Sequence, residues 1–214
     1  MKSDPFEGDT PPRAAPDLDL AGVAIYRALL DGAAQGRLLG QVRAVVRVAP
    51  LVRPVTPSGR AMRVRLTSAG RLGWYADRTG YRYIPRHPEG MAWPPIPDEA
   101  LAVWHRVTGL AAAPDSCLVN YYDGDARMGM HQDRDEADLS WPVVSISLGD
   151  EALFRVGGTS RGGRTRSVWL QSGDVAVLAG PARLAYHGID RLRPGSSRLL
   201  AGGGRINLTL RMAG

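Results

Sequence analysis

After Pro114 the chain becomes a succession of short β-type runs broken by turn residues, and that rhythm constrains the fold more than any other feature. The runs are 117–122, 143–148, 153–156, 167–170, 175–179, 183–187 and 205–212. Between them lie Asp123-Gly124, Gly157-Gly158, Ser172-Gly173-Asp174 and Gly202-Gly203-Gly204. Many short strands at such spacing predict a mainly β (α+β) fold, an antiparallel double-sheet jelly roll occupying 114–214. No internal repeat is visible.

The N-terminal portion reads differently. Residues 1–17 are rich in Pro and Asp without periodicity and are expected to form a mobile arm. Residues 18–113 form an N-terminal extension, with a short strand expected at 22–26 and a helix at 33–46. Asp98 is the expected N-cap of a second helix running to about 112, with Ala100, Val103, Trp104 and Val107 at helical spacing. Residues 50–97 are Pro- and Gly-rich with scattered arginines and aromatics. Alternation over Arg60-Ala61-Met62-Arg63-Val64-Arg65-Leu66 predicts a hairpin strand with arginines on one face.

Composition narrows the class of protein. With 214 residues, 44% hydrophobic and 22% charged, the chain is long enough and apolar enough for one domain with a real core. Cys117 is the sole cysteine, which excludes an intramolecular disulfide and a cysteine zinc cage. The amino terminus lacks a signal-peptide pattern, and no apolar run approaches the ~20 residues that span a bilayer. A soluble cytoplasmic protein with no membrane association is expected. A net charge of +6 and a pI near 10.0 favour a polyanionic partner, although an arginine-heavy composition alone gives the same numbers.

The chemistry is carried by His131, Asp133 and the distant His187. His131 and Asp133 are two apart and point to one side of an extended segment. His187 must return from another strand, as a jelly roll permits. Two imidazoles and one carboxylate are the ligand set of a non-haem Fe(II) site with three open positions. In the last strand Arg205, Asn207, Thr209 and Arg211 share one face, and Ile206, Leu208, Leu210 and Met212 the other. A polar face with two arginines is costly on a core strand unless it lines a cavity that takes an anion. Two guanidinium forks suit the two ends of a small dicarboxylate. Asn120 and Tyr122 share this parity on a neighbouring run. The alternative is an edge strand with a solvated face.

At these residues the chain resembles the AlkB family of Fe(II)/2-oxoglutarate-dependent dioxygenases in its bacterial form. The matching stretches are Asn120-Tyr121-Tyr122, His131-Gln132-Asp133-Arg134-Asp135-Glu136, Val144-Ser145-Ile146-Ser147-Leu148-Gly149, His187-Gly188-Ile189 and Arg205-Ile206-Asn207-Leu208-Thr209-Leu210-Arg211. Upstream, Val55-Thr56-Pro57, Leu72-Gly73-Trp74 and Gly80-Tyr81-Arg82-Tyr83 resemble that family's nucleotide-recognition lid, placed at about 50–97. The resemblance implies that His131, Asp133 and His187 bind Fe(II). Asn120, Tyr122, Arg205, Asn207 and Arg211 would hold 2-oxoglutarate, with Arg205 on the distal carboxylate and Arg211 nearer the metal; O₂ is the other co-substrate. Trp74 would lie against a flipped base opposite His131. Tyr81 and Tyr83 would contact the nucleotide, Asp135 the exocyclic amino group and Arg161 the substrate strand.

The implied activity is oxidative demethylation of N-alkylated bases such as 1-methyladenine and 3-methylcytosine, releasing formaldehyde, succinate and CO₂. The implied partner is alkylated DNA, single-stranded in preference, with RNA also open, and the expected state is a monomer. The alternative keeps the chemistry but acts on a protein or small-molecule substrate. Three features depart from the family pattern, the first being an acidic, proline-containing amino terminus with no family role. The run Gly202-Gly203-Gly204 is expected to loosen the entry to the last strand, and the arginines Arg60, Arg63, Arg65, Arg71 and Arg78 favour phosphate contacts.

Overall fold

The computed structural model describes residues 14–214; residues 1–13 of the expected arm lie outside the described residues. Residues at the end of that segment are tied down. Ala14 N donates to the Arg106 carbonyl at 2.9 Å, and Asp17 N donates to the Ile25 carbonyl at 2.9 Å.

In chain order, β1 (Leu18–Leu20) and β2 (Val23–Tyr26) make a hairpin, followed by α1 (Gly32–Val48) and β3 (Arg65–Gly70). The hairpin β4 (Gly73–Asp77) and β5 (Gly80–Ile84) precedes α2 (Asp98–Thr108). The second half is all strand: β6 (Ser116–Tyr122), β7 (Met128–His131), β8 (Val143–Gly149), β9 (Glu151–Val156), β10 (Arg166–Leu170), β11 (Val175–Leu178), β12 (His187–Arg193) and β13 (Arg205–Arg211). A seven-stranded sheet, β1-β2-β11-β8-β13-β6-β3, packs against a four-stranded sheet, β10-β9-β12-β7, and β4-β5 stands apart. This is the antiparallel jelly roll. Strands β1, β2 and β3 come from the N-terminal extension yet lie in the larger sheet.

Side-chain alternation sorts the layers. On β8, Val144, Ile146 and Leu148 face the helices, and β13 sends Ile206, Leu208 and Leu210 the same way. They meet Leu38, Leu39, Val42 and Val45 of α1 and Val103, Trp104 and Val107 of α2. Each fully buried Leu or Ile contributes roughly 1.5–3 kcal/mol. A second cluster fills one end of the space between the sheets, with Ile25, Val143, Phe154, Val156, Leu170 and Leu178 among its members. The rest of that interior is left to the polar face of β13.

Asp31 caps α1, its Oδ1 accepting from Ala34 N at 2.8 Å. At α2 the expected cap differs: Pro97 is the cap position and Asp98 is the first helical residue, where its charge complements the helix dipole. The helix ends earlier than 112 because Gly109 adopts φ 70 and its N–H returns to the His105 carbonyl. The strand expected at 183–187 is absent. Gly180-Pro181-Ala182 form a 3₁₀ turn, Ala185 N bonds back to the Ala182 carbonyl at 3.0 Å, and β12 begins only at His187. Of the hairpin strand expected at 60–66, only Arg65 and Leu66 join β3. The arginines there turn to the protein's own carboxylates, Arg63 to Asp125 and Arg65 to Asp123, each at 3.1 Å.

The glycine run tightens the entry to β13. A Cβ on Gly204 (φ 85) would lie 2.5 Å from the Tyr122 carbonyl oxygen. One on Gly149 (φ 88) would lie equally close to the Gly204 carbonyl. Asp150 Oδ2 accepts from Gly204 N at 2.9 Å and Oδ1 from Ser197 N at 3.1 Å. Only glycine permits this crossing.

Cys117 lies on the helix-facing side of β6 with no exposure, and burial pushes its thiol up to about 12 against the opposing charge of Arg211. The thiolate is the reactive form. Native protein is therefore expected to resist thiol reagents at pH 8 and to label only as fast as it unfolds, which a time course with and without denaturant checks. No helix among the described residues is long and apolar enough to cross a membrane.

Candidate metal centre and active-site cavity

His131 ends β7 and His187 begins β12, and the register places them directly opposite each other, with ring centroids 4.5 Å apart. Asp133 follows two residues later in the loop after β7. Its Oδ1 lies 3.7 Å from His131 Nε2 and its Oδ2 3.7 Å from His187 Nε2. Among the described residues this is the group of ligand atoms close enough to hold one ion, all within 4.8 Å of one another. Each imidazole is oriented by its own backbone: His131 Nδ1 meets the Gly129 carbonyl at 2.9 Å and His187 Nδ1 the Ala185 carbonyl at 3.0 Å. A carbonyl can only accept, so both Nδ1 atoms carry the proton and both Nε2 lone pairs face the centre.

Electrostatics prepare the ligands. Burial tends to raise the Asp133 pKa, but Arg211, His187 and His131 overcome it and hold the carboxyl well below the usual range. For His187 burial dominates and pushes the ring down to about 4, Asp133 opposing, so it is neutral at pH 7 as a ligand must be. Arg211 Nη2 forms an ion pair with Asp133 Oδ1 at 2.8 Å. Burial alone lowers the Arg211 pKa, yet Asp133, Tyr83 and Glu136 raise it beyond its ordinary range.

A cavity of about 410 Å³ opens from this centre between the sheets. The polar face of β13 forms one wall, with Arg205, Asn207, Thr209 and Arg211 all lining it and all buried. β13 lies between β8 and β6, so the edge-strand alternative fails. Asn120 and Tyr122 line the cavity from β6, and register places them opposite Asn207 and Arg205. Ser145 and Ser147 of β8 stand opposite Thr209 and Asn207. Asn207 Nδ2 donates to Ser145 Oγ at 2.7 Å, and Arg205 Nη2 to Ser147 Oγ at 3.0 Å. Sequence reasoning did not assign these serines a role; the signal was two polar residues alternating through an otherwise apolar strand.

On the opposite side stand the lid residues. Trp74 and Tyr81 stack with centroids 5.5 Å apart and planes 16° apart. Trp74 Nε1 donates to Asp135 Oδ2 at 2.8 Å. Trp74, Tyr81, Asp135 and Arg161 all line the cavity. Tyr83, expected from the resemblance to touch the nucleotide, instead lies outside the cavity wall and donates its hydroxyl to Glu136 Oε1 at 2.7 Å. Tyr83 pairs with Trp74 and shares its face, so the difference comes from its hydroxyl, which is held by the buried Glu136 carboxylate. Gln132 holds the loop bearing Arg161, donating Nε2 to the Thr159 and Leu184 carbonyls at 3.1 and 2.6 Å.

Residues 22–211 match the model of the 2OG-Fe(II) oxygenase superfamily. The chain is 53% identical over 201 residues to an alpha-ketoglutarate-dependent dioxygenase AlkB homolog of Caulobacter vibrioides, covering 94% of this chain and 91% of that protein. This chain belongs to the AlkB family of Fe(II)/2-oxoglutarate-dependent dioxygenases. To AlkB of Escherichia coli K12 it is 39% identical over 199 residues, 91% of each chain. The solved structure of OsALKBH1 superposes with a TM-score of 0.73 at 28% identity, covering 91% of this chain and 97% of that one.

The AlkB-family cofactors, Fe(II) and 2-oxoglutarate, fit the residues present. Arg205 Nε and Nη1, Asn120 Oδ1 and Asp133 Oδ2 are buried without a hydrogen-bond partner in the protein. Each such atom costs ~1–3 kcal/mol, more when charged, and these gather around one cavity. Burial pulls the Arg205 pKa below its ordinary value, with Tyr122 opposing in part. A dicarboxylate laid from Arg205 towards the triad relieves that cost, and two imidazoles with one carboxylate suit ferrous iron.

Proposed function

We propose that this AlkB-family dioxygenase repairs DNA by demethylating N-alkylated bases, 1-methyladenine and 3-methylcytosine foremost. The observation that carries the reading is the cavity itself: a metal triad and a two-arginine strand on one side, a stacked Trp74–Tyr81 pair with Asp135 and Arg161 on the other. A protein or small-molecule substrate has less use for partly exposed stacked aromatics beside a cationic loop. RNA is a second substrate of the same geometry. Single strands are favoured because the base is already free of its partner, and flipping from a duplex costs a few kcal/mol.

His131, Asp133 and His187 hold Fe(II). Arg205 takes the distal carboxylate of 2-oxoglutarate, Arg211 stands near the metal end, and Asn120, Tyr122 and Asn207 complete the polar wall. Bound there, Fe(II) with 2-oxoglutarate supplies the oxidation of an N-methyl carbon by O₂, with one oxygen atom going to that carbon and one to succinate as CO₂ leaves. The cationic N-hydroxymethyl base then loses formaldehyde and a proton, which restores the lone pair on adenine N1 or cytosine N3. The protein's own part is to bind, orient and exclude water. Trp74 and His131 wall the base, Tyr81 supports it at the rim, and Asp135 receives its exocyclic amino group. Arg161 steadies the strand. Tyr83 stands behind these contacts. Residues 50–97 serve as the lid on a core formed by 114–214, and the protein acts as a cytoplasmic monomer.

The test is turnover of a single-stranded oligonucleotide carrying 3-methylcytosine with Fe(II), 2-oxoglutarate and O₂, followed by formaldehyde release and base mass. Succinate formation with an unchanged oligonucleotide would overturn the DNA reading and leave the protein or small-molecule alternative. Trp74→Ala is expected to lower kcat/KM about 5- to 150-fold, mainly through KM, since base–aromatic stacking contributes ~1–3 kcal/mol. Trp74→Phe keeps the stack but loses the N–H to Asp135, so it should fall between the two.

A further inference from the structure

A buried carboxylate with no part in the chemistry above sits directly behind the metal centre. Glu136 is 8% exposed. Its Oε2 accepts from Arg183 Nη2 at 3.1 Å, and its Oε1 accepts from the Tyr83 hydroxyl at 2.7 Å. Oε1 also faces Arg211 Nε at 3.1 Å, an ion pair without the alignment of a hydrogen bond. Arg183, only 4% exposed, uses its remaining donors on backbone. Nη1 donates to the carbonyl of Asp133 itself at 2.6 Å and Nε to the carbonyl of Trp141 at 2.7 Å.

These contacts join separate parts of the molecule. Arg183 lies in the turn that leads to His187, so one guanidinium clips the Asp133 backbone to the approach of the distant histidine. Arg211 is shared: Glu136 takes one edge and Asp133 the other. Without Glu136 the whole guanidinium charge would fall on Asp133 and compete with a metal for its oxygens. Tyr83 belongs to β5, so the lid hairpin closes the same cluster. A buried ion that loses one partner leaves the others uncompensated, and such a group acts as a unit.

We propose that Arg183, Glu136 and Tyr83 form a clasp of positioning residues that sets Asp133 against His187 for the metal and ties the lid hairpin to that spacing. Metal binding and lid seating are then coupled, and by linkage the coupling runs both ways. The proposal rests on the metal reading given above. A cluster that merely cements the fold would leave metal affinity and the lid's response to metal unchanged.

The experiment uses Mn(II), which is redox-inert here, in the presence of 2-oxoglutarate, with affinity read by calorimetry and lid order by hydrogen exchange over β4–β5. In the wild type, Mn(II) is expected to slow exchange of the hairpin. Glu136→Gln and Arg183→Lys are expected to weaken Mn(II) binding about 10- to 100-fold, the usual range when a ligand's supporting partner is removed. They are read side by side, so a folding failure of one leaves the other to decide. Tyr83→Phe, which removes a single oxygen, is expected to leave hairpin exchange insensitive to Mn(II). Unchanged Mn(II) affinity in the two charge variants overturns the clasp, as does a hairpin in Tyr83→Phe that slows as in the wild type. His187→Ala separates the underlying reading: if it binds Mn(II) as tightly as the wild type, the metal assignment itself falls, and the clasp with it.

Discussion

Asp133→Ala is expected to bind no measurable Fe(II) and to release formaldehyde at the background rate. The loss exceeds one ligand bond, because Asp133 also neutralises Arg211 across 2.8 Å. Without the carboxylate, a buried guanidinium points at the position of a divalent cation. Unit charges about 4 Å apart repel by on the order of 4 kcal/mol at an effective dielectric near 20. The fold should survive, since Arg211 keeps Glu136 as a partner and the Asp133 backbone keeps Arg183. Mn(II) calorimetry, formaldehyde release and circular dichroism on one preparation check all three points. Full activity in the variant would mean that the metal lies elsewhere.

Arg205→Met is expected to move stability and co-substrate binding in opposite directions. Arg205 is 1% exposed and its Nε and Nη1 find no acceptor within the protein. Two charge-assisted hydrogen bonds to a carboxylate contribute ~3–6 kcal/mol together, so the KM for 2-oxoglutarate should rise about 10²- to 10⁴-fold. In protein without metal and co-substrate, however, replacing a buried cation that has no carboxylate partner by an apolar residue of similar length should stabilise by roughly 1–4 kcal/mol, net of the lost contacts to Ser147 and Tyr122. Thermal melting of the metal-free protein and a 2-oxoglutarate titration read the two arms. A variant that melts lower than the wild type while binding 2-oxoglutarate normally would remove Arg205 from its assigned place.

Periodicity carried most of the fold. The two faces of β13 were legible from alternation alone, because a strand buried on both sides must separate its apolar and polar residues. The helix stripe Ala100, Val103, Trp104 and Val107 was legible for the same reason and is buried throughout. The triad was legible because two ligands two apart on an extended segment share a side whatever the tertiary structure. What escaped was set by tertiary contact. Arg183 and Glu136 sit in no periodic pattern, and their importance appears only when the Asp133 loop and the turn before His187 meet. The turn itself hid at the start of 183–187, which reads as strand, although Gly180 and Pro181 just before it bend the chain. Tyr83 shares the face of Tyr81 two residues away, yet its hydroxyl reaches the buried Glu136, a partner that only the tertiary structure supplies.

Several arginines of the lid region are matched by the protein's own carboxylates. Arg63, Arg65, Arg71 and Arg82 are paired with Asp125, Asp123, Asp115 and Asp77. A protein that neutralises phosphates releases condensed counterions, and its affinity then falls steeply with salt, by ~0.7 log units per log unit of salt for each phosphate on a single strand. Arginines already matched by carboxylates release few. For a net charge of +6, then, these four add less to the capture of a strand than their number suggests. Discrimination passes to the pocket, where the fit of a single base counts for more than the length of backbone around it.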